Sequence, residues 1–368
     1  MKIERIELHQ IEMPLVHPFR TSFGVETNRP CILVEVHGEG VVGWGECVAG
    51  HDPFYSEETV HTAWHILRDY LVPAVLGQTL GAAQDVPPLF KHVRGHPMAK
   101  ASLENAIWDL FAKAENKPLS QLLGGVKDRV EVGVSIGIQP TIEALLDRVD
   151  SFVAAGYGRI KMKIEPGWLI EPIKLVRERH PDIRLMADAN SAFTLDDIDL
   201  LKQLDPFKLL MIEQPLGYDD IADHARLQAE IETAVCLDES IHCVADAQAM
   251  IDLQAGRIIN MKVGRVGGFS NALKIHDMAQ AVGIPLWCGG MLETGIGRAA
   301  NVHLASLPNF KLPGDISGTN RYYAEDIADP PFVLNMEDST MSVPTGAGIG
   351  VEVIRERVVK ARLQHQMF

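Results

Sequence analysis

One theme recurs along the middle of the chain and constrains its fold more than any other feature. Short apolar stretches end in a polar residue and are followed by a loop and a helical pattern. They lie at 130–137, 159–164, 184–188, 209–213, 234–238, 258–262, 284–288 and, more weakly, 310–315. Their starts are roughly 25 residues apart, about the length of one βα unit with its loops. Residues 141–155, 195–204, 222–232, 245–255 and 271–282 read as the amphipathic helices between them. Strands alternating with helices at fixed spacing imply a parallel sheet, and eight at this period imply a closed barrel.

The rival is an open doubly wound sheet, whose dinucleotide-binding form needs a glycine fingerprint between its first strand and first helix. Gly38, Gly40 and Gly43 fit that spacing after a strand-like run at 31–37. The residues that follow, Val41-Val42-Gly43-Trp44-Gly45, read as a second strand, so the glycines are expected to turn a hairpin.

The first 125 residues lack the repeat. Strands at 2–13, 31–36 and 42–47 precede helices at 57–70 and 99–114, and Gly124-Gly125 marks the joint. After Asp315 the period is lost. The expected fold is α/β, a TIM-like barrel of (β/α)7β type with an N-terminal α+β capping domain. The expected division is 1–125 for the cap, 126–320 for the barrel and 321–368 for a segment packing back on the cap.

Composition narrows the function. Lys and Arg number 34 against 49 Asp and Glu, a net charge of -15. No basic face for nucleic acid or an anionic membrane is expected. No apolar run approaches the ~18 residues of a membrane span. Cys31, Cys47, Cys236, Cys243 and Cys288 form no C-x-x-C pair, which suggests a reducing compartment without disulfides or a thiolate zinc site. The charged first residues do not read as a signal peptide. A cytoplasmic protein is expected.

In such a barrel the C-terminal strand ends carry the chemistry. Residues two apart share a strand face, so Lys161 and Lys163 should both point into the mouth. The next strands end in Asp188, Glu213, Asp238 and Lys262. A lone acid at a strand end more often caps a helix, and a lone rim lysine more often reaches solvent. Three acids on consecutive strands flanked by lysines are another matter. They repel one another unless a cation joins them, and all-oxygen ligands suit a hard divalent ion, Mg²⁺ above all, with Mn²⁺ or Co²⁺ able to substitute. Three carboxylates, a divalent ion and protonated Lys163 and Lys262 leave one positive charge, or two with Lys161. A small carboxylate substrate fits that balance. The ion would stabilise charge built up when the α-proton leaves. Clustered positive charge should lower a lysine's pKa and make it a usable base. Bases on both faces permit inversion of a stereocentre.

Lys161-Met162-Lys163, Asp188-Ala189-Asn190, Glu213-Gln214-Pro215, Asp238-Glu239-Ser240 and Asn260-Met261-Lys262 resemble the motifs of the enolase superfamily, in its muconate-lactonising-enzyme subgroup. The mandelate-racemase subgroup would place a His on the seventh strand, where this chain has Pro285-Leu286-Trp287-Cys288-Gly289-Gly290. Residues 18–24, 43–47, 156–163, 264–268, 287–297 and 312–315 are similar to the N-acylamino-acid racemase / o-succinylbenzoate synthase family. The resemblance implies Asp188, Glu213 and Asp238 as metal ligands and Lys163 and Lys262 as the acid/base pair. It implies electrostatic support from Lys161 and a racemase-associated Arg265. Ser135, Asn190, Glu239, Gly290, Met291 and Asp315 are further candidates for substrate binding or support. Phe19, Phe23 and Tyr55 would belong to loops 19–24 and 48–55 that close over the substrate. Dipeptide epimerases carry Asp-x-Asp after the last barrel strand, but Asp315-Ile316-Ser317 lacks the second Asp. The implied reaction is racemisation of N-acyl, especially N-succinyl, amino acids by a two-lysine proton transfer through an enediolate. The alternatives are o-succinylbenzoate synthesis, a muconate-type cycloisomerisation and, more remotely, a non-catalytic binding protein. A homo-oligomer, from dimer to octamer, is implied.

Overall fold

The computed structural model describes residues 1–21 and 24–368. It opens with an antiparallel sheet. β1 (Arg5–Thr21) and β2 (Gly24–Gly38) form a long hairpin, and β3 (Val41–Cys47) continues it. The strands outrun the expected bounds: their pairing runs to Pro14, shifts register across a stretch that contains Pro18, and resumes at Phe19. Prolines are tolerated in strands at such irregularities. Between β2 and β3, Glu39 and Gly40 both have positive φ, 48° and 80°. Two such residues make the turn that matches strand twist. The glycine triplet therefore turns a hairpin.

Gly43 and Gly45 also let a helix approach. α1 (Pro97–Ala114) crosses β3 so closely that a Cβ at Gly43 would stand 2.1 Å from the Ala106 carbonyl oxygen. One at Gly45 would stand 2.0 Å from that of Ser102. The expected 57–70 helix starts at Val60, where Thr59 accepts a hydrogen bond from the Thr62 N–H. It widens to a π-turn at Leu67–Leu71 and resumes at Val72–Val75. Pro73 offers no N–H, so the regular ladder cannot run through it.

The parallel strands follow as β4 (Val134–Ile136), β5 (Arg159–Lys163), β6 (Arg184–Asp188), β7 (Ile212–Glu213), β8 (Val235–Leu237), β9 (Ile258–Met261) and β10 (Leu286–Cys288). Each pairs with the next into one curled seven-strand sheet. The eighth expected strand departs from this. Residues 310–315 lie between β10 and β4 but make only single bridges, Phe310 to Leu286 and Gly314 to Val132. Pro313 lacks the N–H a ladder needs. The stretch 130–137 also divides: Arg129–Glu131 pairs with Thr340–Ser342, and only Val134–Ile136 joins the barrel.

Met186, Met211, Cys236, Ile258 and Trp287 form a separate buried apolar cluster. Met186, Met211 and Cys236 each precede a strand-end acid by two positions, so they share its inward face. They form a dry floor beneath the polar mouth. The last strand, β11 (Arg362–Met367), pairs antiparallel with β1, so the sheet runs β11-β1-β2-β3.

Candidate active site at the barrel mouth

Strand register assembles the site. Lys163 pairs with Asp188, Asp188 with Glu213, and Glu213 with Cys236, two positions before Asp238. Asp188, Glu213 and Asp238 are at most 1% exposed. Burial of three carboxylates requires compensating charge. Lys161 Nζ lies 3.0 Å from Asp188, 3.1 Å from Glu213 and 2.6 Å from Asp315. Lys163 Nζ lies 2.6 Å from Asp188 and also donates to Asn190 Oδ1. On the other side, Lys262 Nζ lies 2.8 Å from Asp238 Oδ2, and Arg265 contacts the second oxygen of the same carboxylate. Asn260 Nδ2 donates to Glu213 Oε1 at 2.6 Å, and Asn190 Nδ2 to Glu239 Oε1 at 2.8 Å.

The backbone is held in unusual shapes just past two strand ends. Asn190 has φ 42° and Gln214 has φ 37°. Side-chain hydrogen bonds fix both: Asn190 bonds Glu239, and Gln214 Oε1 accepts from the Asp238 N–H at 3.0 Å. Such strain persists where its surroundings over-determine it.

The electrostatic consequences follow from this pairing. Burial pushes Asp188 up, but Lys163 and Lys161 outweigh it and hold the carboxyl far below the usual range. Burial also pushes Asp315 up, yet Arg159 and Lys161 hold it at about 2. Burial and the neighbouring Asp188 raise Glu213 and Glu239. From the protein's own groups alone, without the charge of a divalent ion, Lys262 is raised. Burial pulls it down, but Tyr55, Glu239 and Glu213 raise it on balance. Lys161 is likewise raised, burial being outweighed by Asp315, Glu213 and Asp188. The acids at the mouth outweigh the neighbouring cations.

Above this layer lies a cavity of about 420 Å³. Lys161, Lys163, Asn190 and Lys262 line its floor, with Ser135, Gly290, Met291 and Asp315 beside them. Phe19 and Tyr55 line it from the N-terminal unit. Asp188, Glu213, Asp238, Glu239 and Arg265 sit outside its lining, with Arg265 reaching Asp238, the Ile241 carbonyl at 2.8 Å and the Asn260 carbonyl. Phe23 lies outside the described residues. The Tyr55 hydroxyl donates to Asp238 Oδ1 at 3.1 Å and lies 2.9 Å from Lys262 Nζ. Sequence reasoning missed Arg159, which pairs with Asp315 at 2.6 Å, and the role of Asn260. Inward parity contained both, since 159 precedes 161 and 260 precedes 262 by one alternation.

The donor set fits a hard divalent ion. Asp188, Glu213 and Asp238 offer only oxygen, are buried together, and have Glu239 Oε2 beside them without a partner. Among the described residues, these three are not a group whose ligand atoms all lie within 4.8 Å of one another. Their oxygens are instead engaged by Lys161, Lys163, Lys262 and Arg265.

Comparison with known proteins places this geometry. Residues 5–124 match the mandelate racemase / muconate lactonizing enzyme N-terminal domain, and residues 144–357 match the enolase C-terminal domain-like family. The chain is 51% identical to an o-succinylbenzoate synthase of Geobacillus stearothermophilus, over 97% of this chain and 95% of that protein. It is 50% identical to an N-succinylamino acid racemase of Thermus thermophilus, over 96% and 95%. A solved enolase-superfamily structure from Listeria innocua superposes with a TM-score of 0.96 at 42% identity, covering 100% of this chain and 98% of that one. Enzymes of this superfamily use a divalent metal ion and act on small carboxylates. The buried carboxylate row, the flanking lysines and full-length similarity lead to one assignment: the chain belongs to the enolase superfamily, among relatives of o-succinylbenzoate synthase and N-succinylamino acid racemase.

Proposed function

We propose that this enzyme racemises N-succinyl amino acids by proton transfer at the α-carbon between Lys163 and Lys262. The observation that carries the reading is that both lysines open into one cavity from opposite flanks of the buried carboxylate row. Asp188, Glu213 and Asp238 would hold a divalent ion, Mg²⁺ by their all-oxygen chemistry, with Mn²⁺ or Co²⁺ as substitutes. When bound, the ion supplies positive charge that stabilises the substrate carboxylate as its α-proton leaves.

The rest is the work of this chain's residues. One lysine, as a neutral amine, takes the α-proton from its face. The other, as an ammonium, returns a proton to the opposite face, which inverts the centre. Lys161, 5.0 Å from the Trp287 ring and paired with Asp315, adds a fixed charge beside the reacting carboxylate. Five acids at the mouth (Asp188, Glu213, Asp238, Glu239, Asp315) meet Lys161, Arg159, Arg265 and whichever of Lys163 and Lys262 is protonated. With a divalent ion the reacting site then carries one net positive charge, which favours an anionic substrate. Ser135 Oγ is buried without a partner at the cavity wall and is available to a substrate oxygen. Phe19 and Tyr55, which line the cavity, would close over the acyl group.

The second reading is o-succinylbenzoate synthesis, which one lysine suffices to start; relatives near 50% identity carry either name. A cytoplasmic location is inferred with it, supported by five free cysteines, and a homo-oligomer is inferred from the family resemblance alone. The division into a cap (1–125), a barrel (126–320) and a returning segment (321–368) is proposed on the same footing.

Proton NMR in D₂O tests the proposal. The enzyme is incubated with N-succinyl-L-phenylalanine and Mg²⁺, with an EDTA control. Metal-dependent loss of the α-proton signal together with the D enantiomer on a chiral column is expected. Exchange without inversion overturns racemisation in favour of one-lysine chemistry.

A further inference from the structure

We propose that Glu46, from the N-terminal sheet, is a positioning residue for the substrate: it holds the loop 289–294 in the shape that makes it a wall of the cavity, and so sets which substrate groups fit. Gly290, Met291 and Leu292 of that loop line the cavity. Leu292 has φ 59°, a left-handed conformation that a residue with a side chain keeps only under constraint. Several contacts supply the constraint. Glu293 Oε1 accepts from the Met291 N–H at 2.9 Å and from Asn301 Nδ2 at 2.9 Å. Tyr323 donates its hydroxyl to the Leu292 carbonyl, and Arg298 Nη2 donates to the Glu293 carbonyl at 3.0 Å. All of these come from the loop itself or from the elements just after it.

Glu46 reaches the loop from β3, 248 residues away in sequence. Its Oε1 accepts from the Thr294 N–H at 3.1 Å. Its Oε2 accepts from the Thr294 hydroxyl at 2.6 Å and from the Gly297 N–H at 2.9 Å. The carboxyl thus fixes both the last residue of the loop and the first turn of the helix Gly295–Ala305. The fit is close. A Cβ at Gly297 would stand 2.9 Å from Glu46 Oε2 and 2.9 Å from Glu293 Cβ. The two glutamates therefore meet over Gly297, one folding the loop from within and the other gripping it from the N-terminal sheet. Glu46 is buried, and among the described residues no cation pairs with it. A carboxyl buried without a cation is costly. Its three donors all lie at 294–297, so what the burial secures is the position of this segment.

Selectivity ratios test this, because a ratio between two substrates does not depend on how much enzyme is folded. Glu46→Gln keeps the shape, but its amide nitrogen cannot accept. One backbone N–H is then left facing a donor whichever way the amide turns. With Mg²⁺ present, kcat/KM is measured for N-succinyl-L-phenylalanine, N-succinyl-L-alanine and N-acetyl-L-phenylalanine. At least one ratio among them should shift by about 10-fold, the scale on which a pocket distinguishes a single methylene, and chiefly through KM. Thr294→Val, which removes the hydroxyl and leaves Glu46 in place, should move the same ratio in the same direction, and Thr294→Ser should restore it. Thr294→Val carries the test if Glu46→Gln does not fold. Unchanged ratios in a folded variant, whatever its melting temperature, overturn the proposal. The proposal rests on the racemase reading only for its choice of ligands. If wild type racemises none of them, that reading falls, and the ratios of calorimetric dissociation constants, which need no turnover, decide the role of Glu46 in the same way.

Discussion

The Lys262 ammonium lies 4.4 Å from the centre of the Tyr55 ring and 2.9 Å from its hydroxyl. A residue from the N-terminal unit thus holds one of the two candidate bases by both its π-face and its oxygen. The same hydroxyl reaches Asp238 and Arg265. Tyr55→Phe keeps the ring and removes these bonds. A hydrogen bond to a charged group is worth about 1.5–3 kcal/mol, so kcat/KM should fall roughly 10- to 100-fold. Deuterium exchange, measured for each enantiomer separately, should slow more for the one that Lys262 serves. Equal slowing of both would mean Tyr55 acts on binding alone.

The two lysines predict complementary defects. Lys163→Ala and Lys262→Ala should each lose racemisation by about 10²–10⁴-fold, the usual worth of a general acid or base. Each should still exchange the α-proton of one enantiomer, and the two variants should retain opposite enantiomers. Chirally pure substrates in D₂O, followed by NMR, read this directly. Retention of the same enantiomer by both variants would defeat the two-base reading.

Most of the mouth was legible because strand alternation is rigid. Once 161 and 163 are placed inward, 188, 213, 238 and 262 follow from the repeat. Arg159 and Asn260 obey the same parity and were missed because they lie one layer deeper, where apolar side chains are the usual filling. The eighth strand was illegible for a backbone reason: Pro313 leaves an apolar pattern unable to pair. The raised Lys262 needed three dimensions, since Glu239 and Tyr55 come from other elements. So did the pairing of β11 with β1, whose Arg-Leu-Gln-His-Gln-Met sequence is too polar to announce an edge strand.

Asp188 is the acid that both β5 lysines, Lys161 and Lys163, share. Asp188→Asn removes the charge while keeping the shape. It should abolish exchange and weaken Mn²⁺ binding, read by calorimetry, while circular dichroism stays native. EDTA should likewise stop exchange in wild type, and Mg²⁺ should restore it. Full activity after exhaustive chelation would remove the metal from the mechanism.

His303 predicts a pH dependence with a definite sign. Its Nδ1 accepts from the Ser120 N–H at 3.1 Å, and its Nε2 faces the Ile349 carbonyl at 3.1 Å. A proton on Nδ1 would confront that N–H. Burial lowers the imidazole to about 4, despite the opposing Ile349 carbonyl. The unfolded chain binds the proton near pH 6.5, so between pH 6.5 and 4 it holds more protons than the native state. Stability must therefore fall as pH drops through that window and is unaffected by His303 above it. The full loss is on the order of 3 kcal/mol. Glu46 and Glu58, which burial raises to about 7, act with the opposite sign, because their native forms hold protons that the unfolded chain releases. The His303 contribution is isolated by difference. Urea midpoints of wild type and His303→Gln, taken at pH 7 and pH 5, should show the variant less stable at pH 7 but losing less on acidification. Parallel losses in the two proteins would place the acid sensitivity elsewhere.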